Sequence, residues 1–159
     1  NRRAKEISMV TEKSLLPVVD LKDFPNAVVD VFIELPQTDA GSRCAGICAA
    51  SIALADAGIN MRDMVAAVGV GVVDGTVVLD LDYQEEAYDA EVADVPVAMV
   101  PSTGEITLLQ CDGFISKEHL LEGMTLVKKA CEKINKIQKQ ALKDKYKTQG
   151  KDSDGGDKK

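Results

Sequence analysis

The sequence has few aromatic residues, one histidine and no excess of positive charge. These shortages argue against an aromatic core, a histidine-rich metal site and a generally basic surface. Tryptophan is absent and aromatic residues make up 4% of the 159 residues, so any core must be aliphatic. The 45% hydrophobic content is enough for one ordinary domain. The net charge of −7 argues against general attraction to nucleic acid, because proteins that bind polyanions usually present a basic surface. If a nucleic acid is bound, a few local arginines must hold it.

Signals for zinc binding, export and membrane insertion are also missing. The four cysteines form no Cys-x-x-Cys pair, and the single histidine, His119, lies far from Cys44 and Cys48, so zinc ligation is not expected. No apolar run approaches the roughly 18–20 residues of a membrane helix. The N-terminal residues do not lead into a signal peptide. We therefore expect a cytoplasmic protein with reduced thiols and no membrane association.

Hydrophobic spacing and turn residues predict an α+β fold in which helices pack against a sheet. The order is helix, strand, helix, two hairpins and a final helix capped by Ser116 that ends near Tyr146. The predicted helices are 4–16, 44–57 and 116–146, and the predicted strands are 27–35, 64–73, 76–81, 94–100 and 105–111.

The domain boundaries follow from the same pattern. Residues 1–146 are predicted to form a single domain, and the polar, glycine-rich residues 147–159 are predicted to be a disordered tail. The chain starts on a charged helix with no strand before it. The predicted sheet is therefore short of members, as if N-terminal strands were missing.

The loop that opens the second helix has the features of an anion site. First-turn backbone amides and the positive end of the helix dipole attract phosphate. Gly41 allows close approach to the backbone, Ser42 offers a hydroxyl, and Arg43 offers a guanidinium fork that suits phosphate. The alternative is simple N-capping, with Arg43 at a solvated rim. Arg3 lies at a helix start, where positive charge opposes the dipole, and this placement indicates a ligand unless the terminus is simply exposed.

Carboxylates are concentrated before and at the start of the strand that begins at Asp94. Acids gathered at strand ends can hold Mg²⁺ or act as a general acid. A solvated acidic loop is the alternative, since charge runs usually face solvent. Spacing alone does not choose among the acids, which are Asp80, Asp82, Glu85, Glu86, Asp89, Glu91 and Asp94.

Several stretches of the sequence resemble the RNase PH family, and within it the catalytic ring subunits of archaeal exosomes. They occur in the same order as in that family. The resemblance covers about residues 3 to 146. The stretches are 3–8 (RAKEIS), 29–32 (VDVF), 37–43 (QTDAGSR), 53–59 (ALADAGI), 61–63 (MRD), 78–82 (VLDLD), 93–99 (ADVPVAM) and 107–113 (TLLQCDG).

The resemblance implies a fold like that of the second domain of ribosomal protein S5, with a mixed sheet in a two-layer α/β arrangement. It implies a phosphate-dependent 3′-to-5′ exoribonuclease that acts in a hexameric ring with a non-catalytic sister subunit and RNA-binding cap subunits. The family's phosphate-binding motif falls on Gly41, Ser42 and Arg43, its RNA-contacting arginine on Arg3, and its catalytic aspartate on Asp94. Arg3 and Arg43 would together bind the RNA and neutralise the RNA and attacking phosphates. Inorganic phosphate would be the co-substrate, with Mg²⁺ as a metal.

The chain departs from the family pattern in the second acid. Six residues before Asp94, where the family has an acid, the chain has Tyr88, and the connection is about two residues longer. Glu86 is the first candidate to replace that acid, and Asp89 is a second candidate. Glu86 and Asp94 would then be the metal ligands. Two other functions remain open: a non-catalytic ring subunit of the same assembly, and a phosphate-binding small-molecule enzyme on a similar fold.

Overall fold

The computed structural model describes residues 2–152, and for residues 148–152 it describes the backbone only. The helices are α1 (Arg2–Leu15), α2 (Ser42–Asp56), α3 (Tyr83–Glu86) and α4 (Lys117–Asp152), and the strands are β1 (Ala66–Val73), β2 (Thr76–Leu79), β3 (Val92–Val100), β4 (Glu105–Leu109) and β5 (Asp112–Gly113). Short 3₁₀ turns follow α1 at Leu16–Val18 and Leu21–Asp23. The predicted α+β class is confirmed.

The sheet has the order β2-β1-β3-β4, and β5 extends the edge of β3 beside β4. Every pairing among the described strands is antiparallel, so this sheet is antiparallel where a mixed sheet was predicted. Short turns join β1 to β2 and β3 to β4, and such turns favour antiparallel pairing of the strands that they connect. The β1–β2 hairpin turns at Asp74 and Gly75, both with left-handed backbone, as the Asp-Gly pair predicts.

The layering also differs from the prediction, because the sheet is covered on both faces. Alternate residues of β1 point to opposite faces. Val65 and Ala67 pack with α1 and α2, including Ile47 and Leu54, whereas Val68 and Val70 belong to a second cluster that includes residues of α4. The result is three layers, helix–sheet–helix. Both cores are aliphatic, as the scarcity of aromatic residues predicts.

Residues 27–35 were predicted to be a strand, and this prediction is wrong for the structure described. They carry no assigned secondary structure, and Val28 and Phe32 are largely exposed. A strand needs a hydrogen-bonded neighbour, and within residues 2–152 no strand lies beside this segment. Ile33 of this segment packs on α2, 3.4 Å from the position that a Cβ would take on Gly46, and Val29, Val31 and Ile33 line a cavity whose other wall includes residues of α1.

The final helix runs six residues farther than predicted. Residues 147–152, assigned above to a disordered tail, are helical, and residues 153–159 lie outside the described residues. Lys145 and Tyr146 attach this end of α4 to Asp56 at the end of α2, with Lys145 Nζ 2.6 Å from a carboxylate oxygen. No helix in the described part of the chain is long and apolar enough to cross a bilayer.

Candidate active site

The loop before α2 is held in an unusual conformation. Ala40 and Gly41 both have left-handed backbone, with φ of 57° and 54°. For alanine this region is uncommon and carries a conformational cost, which suggests a function for the loop. Gly41 is the N-cap residue, and its lack of a side chain leaves the first turn of α2 without a side-chain cap. The positive end of the helix is therefore available to an anion.

A cavity of about 420 Å³ brings together the residues that the sequence pointed to. The predicted site residues that line it are Arg3, Gly41, Ser42, Arg43, Glu86 and Asp94. They come from α1, α2, α3 and β3, which are separated by up to 91 positions in the chain. The structure brings these six residues to one cavity.

Arg43 is held by two polar side chains. Its Nη1 donates a hydrogen bond to Gln110 Oε1 at 2.6 Å, and its Nη2 lies 3.7 Å from Glu6 Oε1. Gln110 Nε2 also donates to Glu6 Oε1 at 3.4 Å, which closes a three-membered network. The Arg43 side chain is one-quarter exposed. Its guanidinium is therefore oriented yet open to the cavity.

Asp94 lies in β3, opposite Gly71 of β1 and Asp112 of β5. Burial raises the pKa of its carboxyl, since the charged form loses hydration. The positive charge of Arg43 opposes this shift, whereas the negative charge of Asp112 adds to it. A half-buried acid with a raised pKa is suited to proton transfer.

Glu86 is the acid that accompanies Asp94. It ends α3, a four-residue helix that starts with a capping box between Asp82 and Glu85. Burial and the nearby charge of Asp94 raise the pKa of Glu86, opposed by the Gly41 backbone N–H, Arg3 and Arg43. Tyr88 and Asp89 are exposed and do not line the cavity.

Three further polar residues of the cavity were not singled out as site residues from the sequence: Glu6, Gln110 and Asp112. The spacing of Glu6 from Arg3, one helical turn, was the available signal that both face one side of α1. Gln110 and Asp112 lie in the family-like stretch 107–113 but have no local pattern that reveals a role. Cys44 also lines the cavity, and burial raises the pKa of its thiol to about 12, so it is not a thiolate nucleophile.

A metal ion would have only two carboxylates from the predicted set here. Among the described residues, no group of three or more histidine, cysteine, aspartate or glutamate side chains has the arrangement of a metal site. Mg²⁺ is often held by one or two carboxylates, with waters and substrate phosphates supplying the other oxygens. The charge of Asp94 contributes to the raised pKa of Glu86, and a cation beside both carboxylates would relieve this repulsion. The donor set therefore fits Mg²⁺ held jointly with a phosphate ligand.

Comparison with known proteins gives a consistent result over most of the chain. Residues 1–60 match the first domain, and residues 63–130 the second domain, of the 3′ exoribonuclease family. The exosome complex component Rrp41 of Thermococcus gammatolerans is 51% identical over 146 residues, which are 92% of this chain and 58% of that protein. The Rrp41 component of Methanopyrus kandleri is 49% identical, with 92% and 60% covered.

A solved structure shows the same fold. The crystal structure of rice Rrp46 superposes with a TM-score of 0.76 at 22% sequence identity, covering 90% of this chain and 67% of that one. The fold and the two matched family domains define the class, a protein of the RNase PH type. The chain belongs to the 3′ exoribonuclease (RNase PH) family. It spans about three-fifths of the length of the curated relatives that it matches.

Proposed function

We propose that this chain is part of a phosphate-dependent 3′-to-5′ exoribonuclease subunit of an exosome ring, releasing nucleoside diphosphates from RNA 3′ ends. The observation that carries the proposal is the single cavity that joins an uncapped helix N-terminus, two arginines and two carboxylates with raised pKa values. The similarity to proteins named as exosome complex components supports the assembly.

In this proposal, inorganic phosphate binds at the start of α2. The first-turn amides and the Ser42 hydroxyl donate to its oxygens, and the Arg43 guanidinium neutralises part of its charge. Arg3, which lines the same cavity from α1, neutralises the RNA backbone. Placing both anions in one site supplies the positioning and electrostatic stabilisation on which phosphoryl transfer depends.

The reaction needs one nucleophile and one proton. A phosphate oxygen attacks the phosphorus of the terminal phosphodiester, and the bond from phosphorus to the 3′ oxygen of the preceding nucleotide breaks. That oxygen takes a proton, for which Asp94 is the proposed donor because its pKa is raised. The product is a nucleoside diphosphate, and excess diphosphate would drive the reverse reaction, which adds tails.

Mg²⁺ is the alternative way for Asp94 to act in this proposal: an ionised Asp94 would hold the ion together with Glu86, and the 3′ oxygen would then take its proton from water. When bound, such an ion would offset the negative charge of the phosphates in the cavity. The sister subunit in a hexameric ring and RNA-binding cap subunits are the proposed partners. They would supply the basic surface that this chain, with a net charge of −7, lacks.

One observation favours the alternative, a non-catalytic ring subunit. The Gly41 backbone N–H lowers the pKa of Glu86, which places this carboxylate beside the N-cap residue, at the helix end where phosphate would bind. For the catalytic function, phosphate must displace this carboxylate. For a structural subunit, the carboxylate would serve as a permanent cap.

The test is phosphorolysis by the full-length protein assembled with its ring partner. A 3′-labelled RNA is offered with and without phosphate, and released nucleoside diphosphate is measured. We expect phosphate-dependent release that Arg43→Ala and Asp94→Asn each reduce by at least about 100-fold, the size of effect that one electrostatic or acid–base group supplies. Asp89→Asn and Arg2→Ala are matched controls, because Asp89 and Arg2 are exposed and lie outside the cavity. Normal assembly without release would leave the structural alternative.

A further inference from the structure

We propose that Gln110 is a positioning residue for the candidate phosphate site, acting with Glu6 to aim the guanidinium of Arg43 into the cavity. This inference rests on the proposed function, because it concerns the same site. It adds two residues to which neither the sequence pattern nor the family resemblance assigned a role.

The geometry links three elements that are far apart in the chain. Arg43 comes from α2, Glu6 from α1, and Gln110 follows β4. The Arg43–Gln110 hydrogen bond, at 2.6 Å, is short for a bond from a nitrogen donor and is charge-assisted. The Arg43–Glu6 contact, at 3.7 Å, is longer than a hydrogen bond. Gln110 is therefore the main partner, and Glu6 is the secondary one.

An amide at position 110 does two things that no other neutral side chain does as well. Its oxygen accepts from Arg43, while its nitrogen donates to Glu6. The backbone N–H of Gln110 donates to the carbonyl oxygen of Pro96 at 3.2 Å, and Pro96 lies two residues after Asp94 in β3. Gln110 thus connects the cation of the site to the strand that carries the acid.

The role of this network is geometric more than electrostatic. Glu6 is 45% exposed, so solvent screens its charge, and it does not cancel the charge of Arg43. Arginine has five N–H donors, and Gln110 engages one of them with good geometry. The donors that remain can reach an anion in the cavity without the loss of side-chain entropy that a free arginine would suffer on binding.

Three variants test this in the full-length protein within its assembly. Gln110→Met keeps the size of the side chain and removes both hydrogen bonds. Gln110→Glu places two carboxylates together, and the double variant Glu6→Gln with Gln110→Glu restores one amide–carboxylate pair in exchanged positions. Gln140→Met is the matched control, since Gln140 is an exposed glutamine of α4 that donates to Asp144 at 2.8 Å, away from the site.

The measurements are the KM for phosphate and the kcat of nucleoside diphosphate release, together with the Kd for inorganic phosphate by calorimetry. We expect Gln110→Met to raise the KM and Kd for phosphate by about 3- to 10-fold, the cost of ordering one long side chain. The KM for RNA and kcat should change by less than about 2-fold. The double variant should recover most of what Gln110→Glu loses, which a purely structural effect would not produce.

The outcomes separate this inference from the proposed function. If the wild-type protein releases nucleoside diphosphate and Gln110→Met behaves like Gln140→Met, the positioning role is refuted and the function stands. If no release occurs but phosphate binds, and Gln110→Met weakens that binding, the positioning role is supported and the proposed reaction fails. Absence of any phosphate binding would overturn both.

Discussion

Two glycines of β1, Gly71 opposite Asp94 and Gly69 opposite Pro96, make the sharpest stability prediction. A Cβ added to Gly71 would lie 2.0 Å from the carbonyl oxygen of Ala93 and 3.0 Å from two carbons of Leu81. The oxygen belongs to the backbone of β3, so relief requires the strands to move apart. A Cβ on Gly69 would meet only Asp94 Oδ1, at an ordinary 3.7 Å. The two positions share a strand and differ in what surrounds them.

The expected cost of Gly71→Ala follows from this contact. Overpacking a core costs about 1–3 kcal/mol, and a rigid backbone neighbour puts the value near about 3 kcal/mol. Gly69→Ala has no such clash and gains about 0.5–1 kcal/mol from reduced chain entropy in the unfolded state. Thermal unfolding of the full-length variants, followed by circular dichroism, should therefore place Gly71→Ala about 7–16 °C below Gly69→Ala. Melting temperatures within about 2 °C of each other would refute the reasoning.

Three other predictions concern charged groups. Arg43→Lys should lower kcat/KM for phosphate by about 10-fold or more, because lysine keeps the positive charge but lacks the guanidinium group that reaches Gln110. An unchanged kcat/KM would show that the charge alone suffices. Asp94→Asn should stabilise the protein at pH 7, since burial raises the pKa of Asp94 and penalises its ionised form. In urea titrations this gain in the free energy of unfolding should fade as pH falls through the raised pKa and below the usual range for aspartate. There the wild-type carboxyl is protonated in both the folded and the unfolded state. Asp63→Asn should lower the free energy of unfolding by about 2–4 kcal/mol at pH 7, because burial opposes ionisation of Asp63 but hydrogen bonds from Ser102, Lys139 and Met64 outweigh it and lower its pKa. The stability difference between wild type and variant should shrink as pH falls through that lowered pKa. A difference that stays constant with pH would contradict this reasoning.

Elements with local signals were predicted well from the sequence. Asp74-Gly75 marks the β1–β2 hairpin, residues 101–104 mark the β3–β4 turn, and Gly58 follows the end of α2, each where the structure has it. These signals depend on left-handed backbone and turn hydrogen bonds, which neighbouring residues determine.

Features that depend on distant contacts were predicted less well. Residues 27–35 have the composition of a strand, but composition cannot supply a hydrogen-bonded neighbour. The unbroken apolar run of β1 (AAVGVGVV) was the available sign of a sheet covered on both faces, since alternation is expected only when one face meets solvent. The hairpin signal at Asp74-Gly75 predicts the strand itself, but it does not predict that helices cover both of its faces.

The candidate site shows the same division. Gly41, Ser42 and Arg43 are adjacent in sequence, and their anion-binding character follows from the helix start that they form. The choice of Glu86 over Asp89 was left open because a loop of unknown path connects them to Asp94. Gln110 and Glu6 are 104 residues apart, and only the packed structure brings them to Arg43.

Asp94 and Glu86 are supported by parts of the molecule that differ in cooperativity. The amides around Asp94 belong to β3, which is hydrogen-bonded on both sides, so their hydrogen exchange should require unfolding of the whole domain. Glu86 lies in a four-residue helix held by a capping box and by few contacts with β3, and its amides should exchange through local opening. We therefore expect the Asp94 carboxylate to keep its position as long as the domain is folded. We expect the Glu86 carboxylate to move on a shorter timescale, with local opening of α3, while the rest of the fold stays intact.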